Sequence, residues 1–208
     1  MSGYFTVAAP AEAEVIEKRS RFIAAVKPVQ TEAEALQFLS ERRQAHWDAT
    51  HNVYAYILRE NNLMRYSDDG EPSGTAGLPV LDMLKKEGLT DLIVVVTRYF
   101  GGTLLGTGGL VHTYSRSAKA GVEAAGRLEM RLCREVNLTC AYQWLGKVQN
   151  ELSKWDLQQG ETAFAEEVTL PVYLPAEDAD RFCSAIIEKT SSRVEISLGE
   201  EEYRAKPV

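Results

Sequence analysis

From Tyr4 to Val29 apolar and polar residues alternate loosely through FTV, EAEVIE and RFIAAV, the period-two pattern of short strands with one buried face. The basic residues Lys18, Arg19 and Arg21 interrupt it. Thr31 then stands as an N-cap with Glu34 three residues on, a capping box, and Leu36, Phe38, Leu39 and Arg43 follow at helical spacing toward His46. The run HNVYAYIL, His51 to Leu58, predicts a strand, Asn61-Asn62 a turn, and LMRY the second strand of a hairpin. Ser67 to Gly77, SDDGEPSGTAG, concentrates turn-forming residues and predicts a long irregular loop. A short helix follows over Leu78 to Glu87, closed by Gly88. DLIVVVTRY, Asp91 to Tyr99, is the most apolar and β-branched stretch and predicts a central, buried strand. It leaves into the glycine-rich turn YFGGTLLGTGGL, residues 99–110. Gly108 to Ala125 reads as a helix whose small residues, among them Ser117, Ala118 and Gly121, permit close packing on a sheet, with Gly126 as its stop.

Beyond Leu128 the order changes. A strand near Val136 to Cys140, a helix from Gln143 to Gln158, a strand near Thr162 to Phe164, the strand VTLPVYL, a helix over Ala176 to Ser191 and a strand over Val194 to Leu198 make βαββαβ, the split ferredoxin-like pattern. The reading is therefore α+β in two domains, 1–133 and 134–208. Composition changes the picture only through charge. The 15 basic and 16 acidic residues up to Cys133 nearly balance, whereas 8 basic and 14 acidic residues follow it, so the second domain carries most of the net −7. An acidic second domain argues against a two-domain clamp on nucleic acid. With no apolar run near the about 18 to 20 residues that span a bilayer, and no basic stretch leading an apolar one at the N-terminus, no membrane contact is expected and a cytoplasmic location is the expectation. Cys133, Cys140 and Cys183 lie among apolar neighbours without a C-x-x-C pair and read as buried thiols.

Three constellations could carry chemistry. Gly101, Gly102, Gly106, Gly108 and Gly109 lie between a buried strand and a helix, where left-handed backbone and a helix N-terminus suit a phosphate, a carboxylate or another chain; a tight turn alone is the alternative. The nucleotide codes fail there. Thr107 stands where a P-loop has lysine, and Val111 where a dinucleotide fingerprint has its third glycine. Asp68, Asp69 and Glu71 could hold Mg²⁺ or act as acid and base, contact Arg98 or a partner, or simply brace their own loop. His46 and His51 have a spacing open to a metal pair, yet no third Cys or His lies near, and backbone contacts are the simpler reading; no metal and no cofactor are expected. His112 opens the glycine-led helix. Lys18, Arg19, Arg21, Arg65 and Arg98 are the cations available for nucleic acid in the first domain.

KRSRF at 18–22, AHWDATHNVYAY at 45–56, YSDDGEPSGTAGLPVL at 66–81 and RYFGGTLLGTGGLVHTY at 98–114 together resemble the IMPACT family, specifically its bacterial YigZ-type members. The resemblance implies a first domain like domain IV of elongation factor G, of the ribosomal-protein domain 2-like type, and a ferredoxin-like second domain similar to domain V of that factor. Eukaryotic members regulate translation by competing for an activator of a stress kinase through an additional N-terminal domain. This chain starts with the shared part, so kinase regulation is not carried over, and no reaction is carried over from the bacterial members. The same α/β fold also serves small-molecule kinases, where a glycine-rich loop binds ATP phosphates, and LLGTGGLV is similar to such a loop. The leading expectation is a non-enzymatic binding or regulatory protein, associated with translation, the ribosome or RNA, with a site at the acidic loop 67–77, Arg98 and the glycine turn 101–109. The alternative is a Mg-dependent enzyme or a binder of a phosphorylated small molecule or nucleotide. A module that binds a protein partner, as monomer or homodimer, is the third.

Overall fold

The computed structural model describes residues 3–206. The chain forms two compact units, one running Tyr4–Leu128 and one that starts at Glu129 and takes in Gly3. After a short strand β1 (Gly3–Val7), the first unit contains β2 (Ala11–Glu17), β3 (Ser20–Pro28), α1 (Glu32–Ala45), β4 (His51–Leu58), β5 (Leu63–Ser67), α2 (Gly77–Lys86), β6 (Leu92–Tyr99) and α3 (Gly106–Ala125). The capping box of α1 forms: the Thr31 side chain accepts from the Glu34 N–H, and the Glu34 carboxylate accepts from the Thr31 N–H. Strands β2 to β6 make one antiparallel sheet in the order β2-β3-β6-β4-β5. The β-branched run thus takes the middle place, buried from Leu92 to Arg98. It is apolar on both sides because both sides are covered. Phe22, Ala24, Val26, Val53, Ala55, Val94 and Val96 pack against Val80, Leu84, Leu110, Tyr114 and Ala118 from α2 and α3. On the opposite face Tyr56, Leu58, Ile93 and Val95 pack against Ala35 and Leu39 of α1.

The second unit contains β7 (Arg127–Cys140), α4 (Tyr142–Leu152), β8 (Gln158–Gln159), β9 (Ala163–Phe164), β10 (Val168–Pro175), α5 (Ala179–Thr190) and β11 (Val194–Ala205). β7 lies between β11 and β10, antiparallel to both, and β8 and β9 pair with the far edge of β10. Val136, Leu138, Cys140, Leu170 and Val172 close a core with Val148, Leu152, Phe182 and Ile186 from the helices. Cys133 and Cys140 are buried, Cys183 is partly so, and all three are free thiols.

Several boundaries differ from the pattern, among them β11, which runs past Leu198, and α5, which starts three residues later than Ala176. α3 begins at Gly106, two residues before the expected start. β7 begins at Arg127 instead of near Val136, since its partner β11 runs on to Ala205 and gives the extra residues a ladder to pair with. The helix expected to reach Gln158 ends at Leu152. There the Lys154 and Trp155 amides bond three residues back, to Glu151 and Leu152, and the Trp155 ring turns edge-on to Phe182 at 5.3 Å. Among the described residues no helix is long and apolar enough to cross a membrane. The division of the chain at Leu128 and Glu129 falls a few residues before the boundary drawn from the order of elements.

Close approach of α3 to the sheet depends on Gly121, where a Cβ would lie 2.8 Å from Val26 Cγ2 and 3.1 Å from Ala24 Cβ. Leucine forms helices well, so its cost there is steric. Gly121→Leu is expected to destabilise the protein by at least about 2 kcal/mol in urea unfolding, whereas Ala124→Leu on the exposed side of the same helix stays within about 0.5 kcal/mol of the parent.

Candidate functional site

Strand pairing places Arg98 of β6 level with His51 of β4 on one side and Phe22 of β3 on the other. Period-two alternation sends Arg98 to the face covered by α3 and Tyr99 to the face of α1. On the α3 face Arg98 is buried, 5% exposed, as is Glu71, 8% exposed, brought there by the loop between β5 and α2. Arg98 Nη1 donates to Glu71 Oε1 at 2.5 Å, and the Tyr114 hydroxyl of α3 donates to the same oxygen at 2.8 Å. His51 Nε2 lies 3.8 Å from Glu71 Oε2. Burial, with the Glu71 charge adding to it, pushes the Tyr114 phenol far above its usual range, so it remains a hydroxyl donor. The Arg98 guanidinium lies between the Phe22 and Phe100 rings, 5.3 and 5.5 Å from their centroids. Its Nη2 reaches Ser20 Oγ at 3.4 Å, and Nε has no partner.

The other two acids of the loop are committed to its own architecture. Asp68 accepts from the Gly74, Ala76 and Gly77 amides, which braces the loop and caps α2 from a distance, since Ala76 at the N-cap offers no side-chain acceptor. Asp69 accepts from the Asn52 amide and from Arg43, while its carbonyl meets His51 Nδ1 at 2.7 Å. Among the described residues no three His, Cys, Asp or Glu side chains stand together as a metal set. The Mg²⁺ reading of Asp68, Asp69 and Glu71 therefore meets a physical obstacle: their oxygens already serve amides, Arg43, Tyr114 and Arg98.

The glycine-rich turn forms the facing wall. Gly101 approaches the β2–β3 turn so closely that a Cβ would fall 2.1 Å from the Arg19 carbonyl carbon, and its amide donates to Ser20 Oγ at 3.2 Å. Gly102 and Gly106 hold φ of +80° and +74°, the left-handed region open to glycine at little cost. Gly108 and Gly109 lie in the first turn of α3. Between turn and loop opens a cleft of about 420 Å³, lined by His51, Glu71, Pro72 and Arg98 on one side and by Phe100, Leu104, Leu105, Gly106, Thr107 and Leu110 on the other.

Several expected site residues lie elsewhere. His46 is on the α1 face, with Nδ1 2.9 Å from the Tyr99 hydroxyl and Nε2 2.7 Å from Arg42 Nη2. Burial first, then the Arg42 charge, lower its pKa, which keeps the ring neutral and able to accept from Arg42. His46 and His51 thus serve opposite faces of the sheet, His51 against a backbone carbonyl and His46 against two side chains. Arg21 is held by Glu14. Arg65, on β5, is level with Tyr56 and through it Ile93, toward the end of β6 opposite Tyr99. Lys18 and Arg19 form the β2–β3 turn. Ser20, Tyr114, Phe100 and Leu104 were not singled out from the sequence; Ser20 and Tyr114 look there like ordinary strand and helix positions.

The sequence profile of the Impact N-terminal domain matches residues 18–122, which contain the whole cleft, and that of a domain of unknown function, DUF1949, matches residues 138–193. The chain is 40% identical over 209 residues to an IMPACT family member, YvyE of Bacillus subtilis (strain 168), covering 100% of this chain and 96% of that protein. The chain belongs to the IMPACT family. YigZ of Escherichia coli (strain K12), a further family member, is 30% identical over 97% of this chain and 100% of its own. Protein IMPACT of Bos taurus is 33% identical over 98 residues, 44% of this chain and 30% of that protein. A crystal structure described as that of a hypothetical protein superposes with a TM-score of 0.61 at 31% identity, over 97% of this chain and 100% of that one. In this IMPACT family chain the loop 67–77 and the turn 101–109, which face each other across the cleft, both come from the profile-matched region.

A buried ion pair that loses one partner leaves a charge in a dry place. Arg98→Met is expected to lower stability by about 3 to 5 kcal/mol, and adding Glu71→Gln to it to recover most of that loss, measured with Glu71→Gln alone as a double-mutant cycle in urea.

Proposed function

We propose that the chain is a non-catalytic binding protein connected with translation, meeting RNA or the ribosome through the unit Tyr4–Leu128, with the cleft as part of the contact. The observation that carries this reading is the distribution of charge. Glu71, the carboxylate that lines the cleft, is paired with Arg98, and Asp68 and Asp69 in the same loop are held by backbone amides and Arg43, while Lys18 and Arg19 stand exposed in the turn against which Gly101 packs. Such an arrangement favours recognition of a ligand over catalysis by its carboxylates.

Two features of architecture support the same reading. The order β11-β7-β10 with β8 and β9 outermost, threaded as strand, helix, strands, helix, strand, is what a ferredoxin-like second domain requires. A five-stranded antiparallel sheet carrying α3 on one face is compatible with a first domain of the ribosomal-protein domain 2-like type. Fold alone is an analogy. It gains weight from family membership, since eukaryotic relatives carry the name Protein IMPACT over the matched domain.

Cosedimentation of the full chain with purified ribosomal subunits is the test. Association at low salt that fades steeply between about 50 and 200 mM is expected, because phosphate contacts release counterions. No association at any salt would overturn the proposal. A thermal shift with nucleotides or sugar phosphates plus Mg²⁺, abolished by Arg98→Met, would replace it with the small-molecule reading.

A further inference from the structure

The turn joining β2 to β3 contains only Lys18 and Arg19, between the paired residues Glu17 and Ser20, and both hold positive φ, 45° and 68°. That is the left-handed geometry of a type I′ hairpin turn, which asparagine followed by glycine adopts readily and long L side chains adopt at a cost. The fold would be better served by Asn-Gly. Among the described residues neither the Lys18 nor the Arg19 side chain has a hydrogen-bond or ion-pair partner. Both are exposed, and the carboxylates beside them are taken by others, Glu14 by Arg21 and Glu17 by Arg116. The turn is nevertheless fixed in place: Gly101 lies on the Arg19 backbone, and the buried Ser20 hydroxyl accepts from both Gly101 and Arg98. Next in the chain to Gly101 is Phe100, 47% exposed, and it lines the cleft together with Leu104, 82% exposed.

We infer that this corner holds single-stranded RNA, with one unstacked base laid on Phe100 and Leu104 at the cleft and the adjoining phosphates on Lys18 and Arg19. The inference rests on the RNA reading above and gives it a site. An apolar, partly exposed ring beside two fixed cations matches a nucleotide, which offers a flat π-face and a charge a few ångströms apart. A duplex keeps its bases stacked inside and presents no such face. A purely apolar partner would match the rim but leave no reason for two cations in a turn that favours Asn-Gly.

Fluorescence anisotropy of the full chain with a labelled oligouridylate of about twelve nucleotides tests this. The double variant Lys18→Asn, Arg19→Gly is expected to melt no lower than wild type while binding about tenfold more weakly, and its plot of log affinity against log salt to flatten by about 1.4, two phosphates at about 0.7 each. Phe100→Ala is expected to weaken binding about tenfold with the salt slope unchanged. Arg193→Ala, in the other unit, should bind as wild type. If wild type binds RNA and both site variants match it, the placement is wrong although the RNA reading stands. If wild type binds no RNA at any salt, both fall. A duplex bound as tightly as the single strand, or a double variant that melts lower, would also overturn the inference.

Discussion

One guanidinium and one carboxylate, both more than nine-tenths buried, join three pieces of chain that are far apart in sequence: β6 through Arg98, the loop after β5 through Glu71, and α3 through the Tyr114 hydroxyl that shares the same carboxylate oxygen. Ser20 extends the set to the β2–β3 turn and the glycine-rich turn. Burying these charges is unfavourable unless every partner is in place. The pair therefore demands a particular loop path and a particular seat for α3, and that demand positions the cleft walls. A hydrophobic replacement could hold the same elements together, but would not tie five segments to one point.

Around this centre the remaining polar groups of the loop are consumed locally. Asp68 takes three amides and Asp69 one amide and an arginine. What a sequence reader counts as three clustered carboxylates is thus a brace, a clamp and an ion-pair partner. The exposed cations, in contrast, are held where the fold has no need of them. Strain at Lys18 and Arg19 is a cost of order 1 kcal/mol or more per residue, and the surrounding hairpin and Gly101 contact hold both residues in it.

The acidic, second unit is built on a different principle. Its core is an apolar layer of β7 and β10 side chains under α4 and α5, and none of its residues lines the cleft. The excess negative charge it carries would repel a polyanion.

Local chemistry determined much of the fold from the sequence alone. The capping box at Thr31, the strand His51–Leu58, the turn at Asn61-Asn62, the loop 67–77 and the central β-branched strand are all readable because the cause of each lies within a few residues. Where the cause lay in a distant partner, the sequence was silent: the extra length of β7 and β11 comes from their mutual pairing, and α4 ends where Trp155 folds onto Phe182. The same division holds for the site. Glycines, acids and Arg98 drew notice by type and spacing, but Ser20 and Tyr114 did not, and the spacing of His46 and His51 did not show that they serve opposite faces, because which face a side chain serves is fixed by register across strands. Only the tertiary structure decided that Glu71 is neutralised, that Asp68 and Asp69 are spent on amides, and that two strained cations stand beside an exposed ring.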